Sequence, residues 1–291
     1  MSVIDLTSAA DALAAPKVAA PSRDGRRVVA LLLGGARGLL TAAISVAVVL
    51  GAWVLFLKVF NVQPFIGKGP ADVWRYLFSN PDSAANRHAV IQETGTTLRD
   101  AFLGLTFGTL AALACAVSFH LFRPVERAFM PIAMVLRSVP LVAMTPLIVL
   151  IFGRDLKAIT VISGIVTFFP TLVNVTLALG AAPQEAIDLF RAYGASPAKT
   201  LRKMQMPSAL PALFASLRVA APLALVGALL AEWLATGQGL GYKILQSGAL
   251  SDYDGLWARV ALVTLYSVLL YKIIGGIEKL VLARYAPTTG R

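Results

Sequence analysis

The chain has 291 residues, 57% of them hydrophobic and 14% charged, with a mean hydropathy of +0.75. That is far too apolar for a water-soluble globular protein and marks an integral membrane protein. The formal charge of +11 does not indicate a nucleic-acid binder, because Lys and Arg are dispersed between hydrophobic runs instead of gathered on one polar domain.

Residues 1–27 are rich in Ala, contain Pro16, Pro21 and Gly25, and have an apolar run, Ala9–Ala15, that Asp11 interrupts. They read as a disordered cytoplasmic tail, since a secretory leader needs a longer unbroken apolar stretch. A bilayer-spanning helix needs about 20 mostly apolar residues. Gly38–Leu57 supplies them without one Asp, Glu, Lys or Arg, which places the first span within 28–60. Residues 61–95 follow as an external loop punctuated by Pro64, Gly67, Gly69, Pro70 and Asn80-Pro81. Within it, Val73, Trp74, Tyr76 and Leu77 suit either plain loop or a short helix at the membrane interface, where Trp and Tyr are favoured.

Ala101–Phe122 and Ala158–Gln184 are two more uncharged spans, and stretches near 128–152, 209–235 and 258–282 are nearly as apolar. The expected total is six. Gly104 and Gly108 let another helix approach closely, a pattern that is also common among membrane helices generally. The lone Cys115 allows neither an internal disulfide nor a cysteine metal site. His88 and His120 have no metal-ligand spacing, and no Gly-x-x-x-x-Gly-Lys-Ser/Thr phosphate loop occurs. No metal, cofactor or ATP hydrolysis is therefore expected of this chain itself. With a cytoplasmic N-terminus, the inside segments collect Arg123, Arg127, Arg191, Lys199, Arg202, Lys203 and Lys279, as the positive-inside rule expects. Arg154 and Lys157, on the short outer connection Gly153–Lys157, fit this topology least well.

The segment 183–207 between the fourth and fifth spans is patterned differently. Pro183 suits a first helical turn, Glu185 and Asp188 favour the positive end of a helix dipole, and Gly194 supplies a stop. The short helix so defined carries Ala186, Leu189, Phe190 and Tyr193 at i, i+3, i+4 and i+7, an apolar face. Ser196-Pro197 then reads as the cap and first turn of a second helix, which bears Lys199, Arg202 and Lys203 and ends before Pro207.

Here the sequence resembles the inner-membrane permease family of binding-protein-dependent importers, a branch of the ABC transporters. The family's cytoplasmic loop reads Glu-Ala-Ala, three residues, Gly, nine residues, then Ile-x-Leu-Pro. In this chain Gly194 is followed by nine residues and Met204-Gln205-Met206-Pro207, while Asp188-Leu189-Phe190 stands where Glu-Ala-Ala is expected, keeping the acid but not the small residues. Arg137-Ser138-Val139-Pro140, Thr145-Pro146-Leu147, Ala231-Glu232-Trp233 and Gly237-Gln238-Gly239-Leu240-Gly241-Tyr242 extend the resemblance over residues 70 to 285, toward permeases for nitrate, sulfonates and taurine. It implies an all-α membrane protein of the type I ABC importer permease kind, with a core domain at 96–285 and a cytoplasmic tail at 286–291. It also implies a multi-pass protein of the bacterial inner (plasma) membrane with both termini cytoplasmic. The chain would pair with a second permease, most simply a copy of itself, above two ATPase subunits that supply ATP and Mg2+, and below an extracytoplasmic solute-binding protein.

On that reading Glu185, Asp188, Leu189, Phe190, Tyr193, Gly194, Ala195 and Ser196 dock the ATPase. The alternative is that this amphipathic helix simply lies on the inner lipid surface. Ionisable residues within spans usually face protein or water. Arg137 and Arg218, at similar depth, could line a cavity for an anionic solute or simply snorkel toward headgroups. Ser138, Thr145, Ser163, Thr171 and Asn174 are further pathway candidates, with helix packing the alternative. Glu232, Gln238, Tyr242 and Lys243 are candidates for contact with the binding protein. The rival class is an ion-gradient-driven secondary transporter, which usually shows inverted repeats and interrupted helices; no convincing repeat is found here.

Overall fold

The computed structural model describes residues 23–285, with side chains over 40–284. The expected tails up to residue 22 and from 286 to 291 lie outside the described residues. Helix α1, Arg23–Val59, belongs to a unit of its own that ends at Val62. Its stretch Leu40–Val59 is 20 residues of apolar surface, long enough to cross a bilayer.

In the second unit, α2 (Pro70–Trp74) runs into a π-helical turn at Arg75–Ser79, so the sequence pattern around Trp74 is realised as helix. Asn80-Pro81 is the turn, and α3 starts directly after it at Ser83 and continues to Leu121. The external loop expected over 61–95 is therefore shorter than the sequence suggested. The physical reason is that polar residues in the later part of this stretch are held by partners within the fold. Asn86 Nδ2 donates to the Tyr76 carbonyl at 3.1 Å, Arg87 to the Leu77 carbonyl at 2.6 Å, and Glu93 accepts from two nitrogens of the Arg259 guanidinium. At 39 residues α3 is about 58 Å long, well beyond the roughly 30 Å hydrocarbon layer.

The third expected span is not one helix. Val139 precedes Pro140, whose ring pushes the residue before it into extended backbone, and α4 (Arg123–Ser138) ends there. Helix α5 (Leu141–Phe152) leaves at 105° to α4. Among the described residues five helices are long and apolar enough to span, and six if this bent pair counts as one. Next come α6 (Leu156–Gly180), α7 (Gln184–Ala192) and α8 (Pro197–Thr200). A π turn at Leu201–Gln205 joins α8 to α9 (Met206–Ala231), and a second π turn, Glu232–Thr236, follows. The stop expected before Pro207 is corrected by the first of these. The π turn closes with Met206 N–H on the Leu201 carbonyl, so the helix passes the proline that cannot donate. Residues 197–236 form one continuous helix. Last are α10 (Gly239–Ala249) and α11 (Tyr253–Tyr285).

Helices α3, α6 and α9 form the middle of the bundle, and α11 packs on α9. Lipid supplies no hydrophobic force between helices, so close approach of small residues must hold them. Ala112, Ala116, Ala220, Ala221, Ala224 and Ala228 are buried at these contacts. Gly104 and Gly108 of α3 lie on Ser163, Gly164 and Thr167 of α6, and Gly227 of α9 lies on Ser163 and Val166. Ser163 Oγ donates to the Ala224 carbonyl at 2.8 Å, and Thr167 Oγ1 lies within 3.3 Å of the Gly104 carbonyl. A Cβ at Gly108 would collide with backbone of Gly164, which no rotamer change relieves. Gly108→Val is therefore expected to cost about 3 kcal/mol and lower the unfolding midpoint in detergent. Gly95→Ala, on the same helix with nothing within 4 Å of its added carbon, should not lower it.

Candidate functional site

The expected docking segment folds as the spacing implied. Pro183 precedes α7, and the helix ends in a Schellman cap. Gly194 takes φ +70, its N–H donates to the Arg191 carbonyl at 2.8 Å, and Ala195 N–H reaches the Phe190 carbonyl at 2.9 Å. No atom lies within 4 Å of where a Gly194 side chain would begin, so glycine is required there by conformation and not by crowding. Ser196 caps α8 by accepting from Lys199 N–H at 3.3 Å, with Pro197 in the first turn. Leu189 on α7 is 57% exposed and Tyr193, at its C-cap, 83%. Phe190 is only half-buried, as are Ala186 and Ile187, so part of the apolar face turns back on the chain. Glu185 and Asp188 are exposed, Asp188 bonding Arg191 at 3.3 Å.

This segment sits at one end of the bundle. The ends of α3 and α6, the start of α4, and α7 and α8 meet there around a cavity of about 270 Å³. Arg123, Arg191 and Lys199 belong to these same elements, and Arg202 and Lys203 to the π turn that continues α8 and also lines the cavity through Gln205, so these basic residues gather at that end.

The two intramembrane arginines part company. Arg218 is paired with Glu278 of α11 at 3.0 Å and lies 4.8 Å from the Tyr271 ring centre. Arg137, exposed at the end of α4, opens into a cavity of about 440 Å³ at the α4–α5 bend, among Met144, Phe168, Phe169 and Leu223. No acid pairs with it among the described residues. Ser138 is exposed, with its hydroxyl on the Val135 carbonyl at 2.6 Å, and Asn174 is exposed. Thr145, Ser163 and Thr171 are fully buried. Ser163 is a helix-packing residue, Thr145 bonds the Leu141 carbonyl at 3.0 Å, and the Thr171 hydroxyl has no hydrogen-bond partner.

At the other end of α9, Glu232 is fully buried and cannot present itself to a partner surface, which corrects its expected role. Its carboxylate accepts Gly241 N–H at 2.8 Å and occupies the space where any Gly239 side chain would stand. Thr97 of α3 accepts Leu240 N–H at 2.9 Å, so α3, α9 and α10 are tied together there. Gln238 is exposed, while Tyr242 and Lys243 are half-buried, with Lys243 donating to Gln246 at 2.7 Å. The sequence reading missed the groups that neutralise the spans. Arg259, 7% exposed, holds Glu93 through two nitrogens at 2.7 and 3.0 Å, and its remaining nitrogen reaches Ser247 at 3.2 Å. A rule requiring a partner for every charge in an apolar helix would have prompted the search.

Residues 104–286 match the family described as binding-protein-dependent transport system inner membrane component. A probable ABC transporter permease of Haemophilus influenzae is 30% identical over 80% of this chain and 93% of its own length. A riboflavin transport system permease of Chloroflexus aurantiacus is 32% identical over 65% of this chain and 70% of its own. Permeases named for aliphatic sulfonates and taurine in Escherichia coli, and for nitrate in Leptolyngbya laminosa, are 26%, 24% and 22% identical over 60%, 78% and 70% of this chain and 64%, 82% and 81% of theirs. Among solved structures, the fold resembles a chain of the inward-facing MetNI methionine ABC transporter, with a TM-score of 0.61 over 67% of this chain and 97% of that one at 22% identity.

Proposed function

The chain belongs to the family of binding-protein-dependent transport system inner membrane components and is an ABC importer permease subunit, and from that premise we propose how its parts divide the work. Two copies pair to enclose the solute path. Two ATPase subunits, which bring ATP and Mg2+, dock on α7 of each copy, and a solute-binding protein delivers from the opposite side of the plasma membrane. The end carrying α7 and its basic residues is cytoplasmic by the positive-inside rule, with both termini on that side.

The observation that carries this reading is the exposure of Leu189 and Tyr193 on a capped helix at the basic end of the bundle. Apolar side chains there are outside hydrocarbon, and a short rigid helix displaying them suits a groove in a partner. Closure of the ATPases on ATP would shift α7 and, through α8, the long helix beyond it. Substrate is a small anionic organic or inorganic solute, a reading supported by Arg137 at the α4–α5 cavity, where each copy contributes one unpaired cation. Glu185, Asp188, Gly194, Ala195 and Ser196 shape the docking segment, with Gln238, Tyr242 and Lys243 toward the binding protein.

Reconstitution in sealed vesicles tests the proposal. Uptake of a solute that the binding protein recognises should require that protein, the ATPase and ATP together. Accumulation by the purified chain alone, driven by a proton or sodium gradient, would instead establish a secondary transporter.

A further inference from the structure

The cavity behind α7 has a chemistry that docking does not use. Its charged lining consists of Arg123 at the start of α4 and Arg191 on α7, joined by His120 at the end of α3, and no carboxylate lines it. Gln205, 6% exposed, lies 2.9 Å from His120 through its side-chain oxygen, which keeps its amide nitrogen available as a donor. Arg123 and Arg191 do have acidic neighbours, Glu126 at 3.0 Å and Asp188 at 3.3 Å. Each of these pairs uses a single arginine nitrogen, links residues one helical turn apart and leaves the arginine mostly exposed, at 61% and 68%, which makes it a weak competitor for a better-matched anion even though Glu126 itself is only 24% exposed. The remaining guanidinium donors are forks suited to a tetrahedral oxyanion.

We propose that this cavity of about 270 Å³ is a binding site for a phosphate group, held by Arg123, Arg191 and Gln205. The phosphate belongs either to an anionic lipid headgroup or to a soluble phosphate compound, since basic pockets between helix ends suit both. Its occupant bridges the α3–α4 junction to α7, so binding fastens the docking helix to the bundle.

The test uses the full-length chain in lipid nanodiscs and reads thermal unfolding and binding, not transport, so its failure leaves the permease reading untouched. One arm titrates inorganic phosphate into phosphatidylcholine discs, and the other compares phosphatidylglycerol with phosphatidylcholine discs. A rise of several degrees in the unfolding midpoint is expected in at least one arm. Stabilisation by phosphatidylglycerol alone assigns the lipid headgroup, and stabilisation by inorganic phosphate assigns a soluble ligand. Arg123→Gln with Arg191→Gln should weaken the effect at least tenfold, whereas Arg154→Gln, on the loop between α5 and α6, should leave it intact. Circular dichroism confirms that the double variant is folded, and Arg191→Lys should retain part of the response. No stabilisation in either arm, or an undiminished effect in the folded double variant, overturns the proposal.

Discussion

Replacing Leu189 and Tyr193 together by Asp is expected to abolish ATP-driven uptake and to separate the chain from its ATPase during purification, while the chain stays folded in the membrane. Both side chains are mostly exposed, at 57% and 83%, so the fold does not rest on them. At a partner's groove they would act as apolar anchors, and removing one such anchor typically costs about 2–4 kcal/mol of binding. Adding two carboxylates to a desolvated contact raises the loss further, so a weakening of more than a hundredfold is expected. Phe190→Asp is a less clean version of the same experiment, because Phe190 is half-buried against its own chain and the change would also disturb α7. Retention of the ATPase by a correctly inserted Leu189/Tyr193 double variant would mean that α7 lies on lipid and that the coupling contact is elsewhere.

Arg259→Met is expected to be the most damaging single change outside α7. It would leave Glu93, 10% exposed, as a buried charge without its bidentate partner and remove one of the two hydrogen bonds of Ser247, whose other runs to Asp252 at 3.3 Å. Breaking a buried pair on one side costs about 3–5 kcal/mol, whereas replacing both members by apolar groups is often close to neutral. The single variant should therefore yield little monodisperse protein in detergent, and Arg259→Met combined with Glu93→Leu should recover most of it. Arg259→Lys should recover less, because an ammonium cannot reproduce the fork. Equal losses in the single and double variants would show that these residues act through packing, not through their charges.

Much of the chain was legible because the signals were local. Uncharged runs such as Ala158–Gln184 became spans, and the Pro183, Gly194 and Ser196-Pro197 punctuation became the caps of α7 and α8. The failures came from long range. Glu93 looked like a loop residue because its neutralising partner, Arg259, is 166 positions away in sequence. The pairing of Arg218 with Glu278 was not foreseen because the two are 60 positions apart. The α4–α5 bend was a different kind of miss. Val139-Pro140 announced it locally, but a hydropathy window averages over the proline and reports one span. Which side chains face the solute path was never a local property, since it depends on packing between helices and on the partner copy.

The continuous helix from Pro197 to Thr236 contains 40 residues and measures about 60 Å. Each of its two π turns holds one residue more than an α-helical turn would, and that extra residue offsets all later side chains by about 100° around the axis. The shaft is thus pre-wound. If the turn at Leu201–Gln205 relaxed to α-helix, the α8 end would corkscrew by that angle against α9, so a push arriving at Pro197 could leave as torque as well as displacement.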